Sequence, residues 1–77
     1  MNASAFRPAR NFLGLRLSDV ERATGVRAAH LSEAERGLVQ LTRGEFIAIR
    51  NFLRERLAGD LTKGGLSLLS SLEDAHE

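Results

Sequence analysis

The sequence predicts an all-α domain of five helices, and three observations predict it. Helix-start and helix-stop residues recur along the whole 77-residue chain. Apolar residues between them fall at three- and four-residue spacing, and no stretch alternates apolar with polar residues as a half-buried strand would. Apolar residues make up 43% of the chain, enough for one core, and the chain is too short for a second. Four Phe are the only aromatics, so Leu, Ile, Val and Ala must fill the interior.

The first helix ends near Leu13, where Gly14 can take the left-handed conformation that closes a helix. Its start falls near Pro8, because the first N–H groups of a helix lack partners anyway; Ser4 is an alternative cap upstream. Phe6, Ala9 and Leu13 share one face. The second helix starts at Leu17 or at Ser18, which can form a capping box with Glu21, and it ends at Gly25. Val20 and Thr24 face inward, with Ala23 alongside. The third runs from about Arg27 to Glu35 and stops at Gly37, with Leu31 and Ala34 inward and Val26 filling the turn before it. Leu38, Val39 and Leu41 make an apolar loop. Thr42-Arg43-Gly44-Glu45 is a second capping box, opening a fourth helix whose Phe46, Ile49, Phe52, Leu53 and Leu57 recur at helical spacing up to Gly59. Asp60 to Gly65 reads as a linker, and Leu66, Leu68, Leu69 and Leu72 mark a last short helix before a polar end.

Composition excludes several classes. Without Cys there are no disulfides and no thiolate metal sites. No apolar run approaches the length of a bilayer span, and Met1 to Arg10 lack the apolar stretch of a secretory signal, so no membrane partner and a cytoplasmic address are expected. No nucleophile–base pairing, phosphate-binding glycine loop or metal-ligand spacing occurs, which argues against an enzyme and against a cofactor. His30 has only His76 as a second imidazole, so no metal site is expected. The net charge of +1 is unevenly spread: residues 1–58 carry +4, residues 59–77 carry −3, and nearly all the cations of the chain are Arg. A basic body with an acidic tail suits a nucleic-acid binder, although ordinary scatter of solvated charges reads the same way.

Two short helices joined at Gly25 make a helix-turn-helix. Such a motif needs glycine where the chain leaves the first helix, an apolar residue (Val26) to pin the turn, and an apolar inner face (Leu31, Ala34) on the second helix. The run Gly25-Val26-Arg27-Ala28-Ala29-His30-Leu31-Ser32-Glu33-Ala34-Glu35-Arg36-Gly37 resembles the signature of XRE/Cro-type helix-turn-helix regulators. Gly14-Leu15, Leu17 to Glu21, and Thr42 to Leu53 fit the same pattern, so the resemblance covers roughly residues 5 to 58.

That resemblance implies a compact, five-helix, lambda-repressor-like domain that binds double-stranded DNA as a homodimer. The helix from Arg27 would lie in the major groove. By position, Arg27, Ala28, Ala29, Ser32 and Glu33 would face base edges, and Arg16, His30, Arg36 and Arg43 would lie near phosphates. Arg27 stands where many relatives carry a Ser or Thr N-cap. Ala28 and Ala29 can offer only apolar contacts, such as with thymine methyls. A carboxylate beside the core, Glu35, needs a cation or donors, and the resemblance implies a structural pair with Arg10.

Four leucines in seven residues exceed what one short helix readily buries against a small domain. Leu66, Leu68, Leu69 and Leu72 are therefore expected to form a dimerisation surface. The chain then divides into a DNA-binding domain, residues 1–58, and a linker with a dimerisation helix, residues 59–77. The expected function is that of a sequence-specific transcriptional regulator, a repressor on a palindromic operator, with a regulatory protein as a further candidate partner. The alternative is a protein-interaction module, an antitoxin or adaptor, that binds a partner protein through its C-terminal helix.

Overall fold

Helix punctuation sets the architecture in a computed structural model that describes residues 3–59 and 62–74. A turn of 3-10 helix at Ala3–Ala5 runs into α1 (Phe6–Phe12), followed by α2 (Leu17–Thr24), α3 (Ala28–Glu35), α4 (Arg43–Ala58) and α5 (Lys63–Asp74). The fold is all-α, with no strand among the described residues. Residues 60–61 of the expected linker, and residues 75–77 with His76, lie outside the described residues.

Pro8 occupies the third position of α1, inside the first turn, where its missing N–H breaks no helical bond. Left-handed Gly37 closes α3 (φ +79°). Its N–H donates to the Ala34 carbonyl at 3.1 Å, and the Leu38 N–H donates to Glu33 at 2.9 Å. This double bond pattern gives donors to carbonyls that a helix end otherwise leaves orphaned. Gly14 and Leu15 close α1 in the same way, on Asn11 and Arg10.

The structure selects one of the two expected starts of α2 and corrects the expected linker. α2 starts at Leu17, so Ser18 lies inside the helix and the Ser18–Glu21 capping box does not form. Instead the Asp19 carboxylate accepts the Arg16 N–H at 2.8 Å. Gly59 ends α4 as expected, in right-handed geometry. Gly64 and Gly65 are helical residues of α5 rather than linker, with the Thr62 hydroxyl accepting the Gly65 N–H at 3.2 Å. At Gly64 the reason is steric: a Cβ there would sit 3.0 Å from the Phe12 ring, so glycine lets α5 approach α1 closely.

The core is built on α4, whose Phe46, Ile49, Leu53 and Leu57 are fully buried. The Phe6 ring meets Phe46 at 5.0 Å between centroids. Val20, Val26, Leu31, Ala34 and Leu41 complete it from α2, α3 and the loops, while Ala23 faces solvent. α5 packs on both α1 and α4, so one core crosses the boundary expected at residue 58. Leu72 is fully buried in it, and Leu68 and Leu69 pack partly against it. Of the four leucines assigned to dimerisation, Leu66 alone is largely exposed, at 51%. A radius of gyration of 11.2 Å agrees with the ~11.5 Å expected of a compact domain of this length, as α5 folded onto the body requires.

Candidate nucleic-acid interface

α2 and α3 meet through a three-residue turn in which successive polar groups find partners. Gly25 takes φ +80°, a conformation strained for any residue with a Cβ, and its N–H donates to the Glu21 carbonyl at 2.7 Å. The Thr24 hydroxyl donates to the Val20 carbonyl at 2.8 Å and accepts the Val26 N–H at 3.3 Å. Val26 is buried beneath the turn. Arg27 follows with extended backbone as the N-cap of α3, and its side chain makes no capping bond. A guanidinium has no acceptor. The Glu21 carboxylate takes that role from α2, accepting the Ala28 N–H at 2.8 Å. The sequence carried a signal for this: α3 has neither a capping side chain nor an acid in its first turn. Which residue would supply the acceptor was not legible.

The other end of α3 is tied to α1. Arg10 donates through Nε to Glu35 Oε2 at 3.1 Å and through Nη2 to Oε1 at 3.0 Å, a two-pronged pair in which the side chains are only 12% and 3% exposed. Nη1 of Arg10 also donates to the Leu15 carbonyl at 3.2 Å, so one guanidinium joins α1, the loop after it and the end of α3. Such a buried pair holds its elements in register, because separating the charges leaves an uncompensated ion in the interior.

With Leu31, Ala34 and Glu35 inside, the remaining face of α3 is open. Arg27 and Ala29 are exposed, and Ala28, His30, Ser32 and Glu33 are half-buried. Gly25, Arg27, Ala29, His30, Glu33 and Glu45 line a shallow, open depression between α3 and the start of α4. Arg36, exposed at the end of α3, donates through Nε to the Ser32 carbonyl at 3.4 Å. Arg16 is exposed at the start of α2, and Arg43 at the first position of α4.

His30, expected beside a phosphate, has an acid of its own chain as neighbour: its Nε2 lies 3.4 Å from Glu45 Oε1. Glu45 belongs to the capping box of α4, accepting the Thr42 N–H at 2.8 Å while its own N–H donates to the Thr42 hydroxyl at 3.1 Å. The Thr42 N–H holds the Glu45 carboxyl below its ordinary value of 4.5, against an opposing effect of burial and with help from the Thr42 hydroxyl and His30. Asp19, Glu21 and Glu45 thus each accept a backbone N–H at a helix start.

Among the described residues, no group of three or more His, Cys, Asp or Glu is placed to hold a metal ion. No helix among them is long and apolar enough to cross a membrane. No family model matches the chain, and no curated protein or solved structure matches it.

Proposed function

We propose that the protein is a sequence-specific DNA-binding regulator that lays α3 in the major groove. The observation that carries this reading is the one-sided burial of α3: Leu31, Ala34 and Glu35 root it in the domain, while Arg27 and Ala29 stand exposed at its start. The major groove admits one α-helix, and residues at the N-terminus of a recognition helix reach base edges. Arg27 can donate two bonds to a guanine edge, and Ala28 and Ala29 suit a thymine methyl. The exposed guanidiniums of Arg16, Arg36 and Arg43 supply phosphate contacts that set register.

An eight-residue helix contacts few bases, so the reading includes a homodimer with two copies of α3 about 34 Å apart on a palindromic operator. It acts as a repressor, and its place is the cytoplasm, with the DNA it binds. The exposed apolar side chains Leu38 and Leu66 are the candidates for the two-fold contact.

The test is selection of duplexes by the purified protein from a random pool, followed by binding at several salt concentrations. Enrichment of a two-fold symmetric sequence, with affinity falling steeply as salt rises, supports the reading. Recovery of unenriched DNA with no salt dependence overturns it. A second reading, in which α5 docks on a partner protein, retains Leu66 but loses Leu72 to the core.

A further inference from the structure

We propose that Glu21 is the positioning residue of α3, freeing the N-cap position to carry a base-reading arginine. The inference rests on the DNA-reading role of α3. Glu21 grips the turn from both sides: its backbone carbonyl accepts the Gly25 N–H at 2.7 Å, and its carboxylate accepts the Ala28 N–H at 2.8 Å. The first bond closes α2 and the second opens α3, so one residue sets where one helix stops and the next begins.

The arrangement resolves a conflict at position 27. A helix start wants an acceptor at its N-cap, usually Ser, Thr, Asp or Asn. A groove-reading helix gains most from a long donor at its leading end, where the chain first meets the base edges. One side chain cannot do both. Here the acceptor comes from the preceding helix, and the N-cap residue, Arg27, makes no capping bond and stays exposed. The bond from Ala28 is short and charge-assisted, and the carboxylate lies at the positive end of the α3 dipole, where it is favoured twice over. With no acid in the first turn of α3, Glu21 is the negative charge serving that end.

Were Glu21 only a solvated acid, it would weaken DNA binding by repulsion and nothing more. The full chain and its Glu21→Gln and Glu21→Ala variants are compared on a duplex that the parent selects from a random pool and on a scrambled duplex of equal length. Amide exchange at Ala28 is followed by NMR. Gln keeps an oxygen for the Ala28 N–H and loses the charge, whereas Ala loses both. Both variants are expected to bind the scrambled duplex more tightly, because each removes a negative charge from a phosphate-binding protein. Glu21→Ala is expected to lose about tenfold in the ratio of selected to scrambled affinity, the scale of one N-cap, and to expose the Ala28 amide. Glu21→Gln is expected to keep most of that ratio and most of the protection. Equal tightening on both duplexes by both variants, with Ala28 still protected, overturns the proposal. If the parent selects no duplex, the DNA reading fails and the positioning role fails with it. Ala28 exchange then decides separately whether Glu21 caps α3.

Discussion

α3 buries Leu31, Ala34 and Glu35 and turns Arg27 and Ala29 outward, whereas α5 buries Leu72, half-buries Leu68 and Leu69, and leaves Leu66 at the surface. Both are short helices, and both were expected to work on something outside the domain. α3 keeps an open face because its outward residues are small, polar or charged, and because an ion pair with Arg10 fixes it from behind. α5 is drawn inward because a domain with few aromatics relies on aliphatic side chains such as Leu72 to fill its core. Glycine at Gly64 lets it come close enough to α1 to do so. A row of leucines is thus a statement about burial, and only the surrounding packing says against what.

The largest test of this contrast strikes the root of α3. Arg10→Met leaves the Glu35 carboxylate inside without its partner and is expected to cost about 3–5 kcal/mol, read by urea or thermal unfolding. A variant that melts within a few degrees of the parent would show that α3 is held by its apolar contacts alone. For α5, Leu72→Ala is expected to cost about 2–5 kcal/mol, as deletion of a fully buried leucine does. Unchanged stability together with loss of a dimer on sedimentation would return Leu72 to an interface and abolish the contrast.

On the open side of α3, Arg27→Ala is expected to lose about 1–3 kcal/mol of discrimination at one base pair. Arg43→Ala should weaken binding to all duplexes alike and lower the salt slope by about one. Uniform weakening by both changes would make Arg27 a phosphate anchor and leave α3 without its reading residue.

A smaller effect lies where α3 touches the start of α4. Thr42→Ala removes the hydroxyl half of that capping box and is expected to cost about 1 kcal/mol. Because the Glu45 carboxyl is held below its ordinary 4.5 in the folded protein, its contribution is present above that value and is lost as pH falls through the folded one. Acid titration of stability should accordingly be flatter in Glu45→Gln than in the parent, and identical profiles would remove the charge from the account. The smallest expected change is Leu66→Ser, within about 0.5 kcal/mol of the parent in stability because the side chain is already half in water. A shift from dimer to monomer on sedimentation would give α5 an outward role after all.

Much of the molecule was determined by sequence alone, and the readable parts share one property: they depend on residues within about four positions of each other. The glycine stops at Gly14, Gly25 and Gly37, the capping box of Thr42 and Glu45, and the apolar stripe of α4 are all of this kind. The pairing of Arg10 with Glu35 spans 25 positions and became readable only through a resemblance between whole patterns. What the tertiary structure alone decided lies where two local rules competed or where none applied. Glu21 could serve Ser18 by its spacing, but Arg16 had already taken the cap of α2 and the bare start of α3 lay within reach of its carboxylate. Gly64 read as part of a linker until the Phe12 ring made it a contact surface. Leu72 could face a partner or its own core, and the space beside α1 and α4 settled which. Helix starts and stops are local chemistry, whereas the side on which a helix buries its leucines depends on volume left by every other element, and no short stretch of sequence carries that.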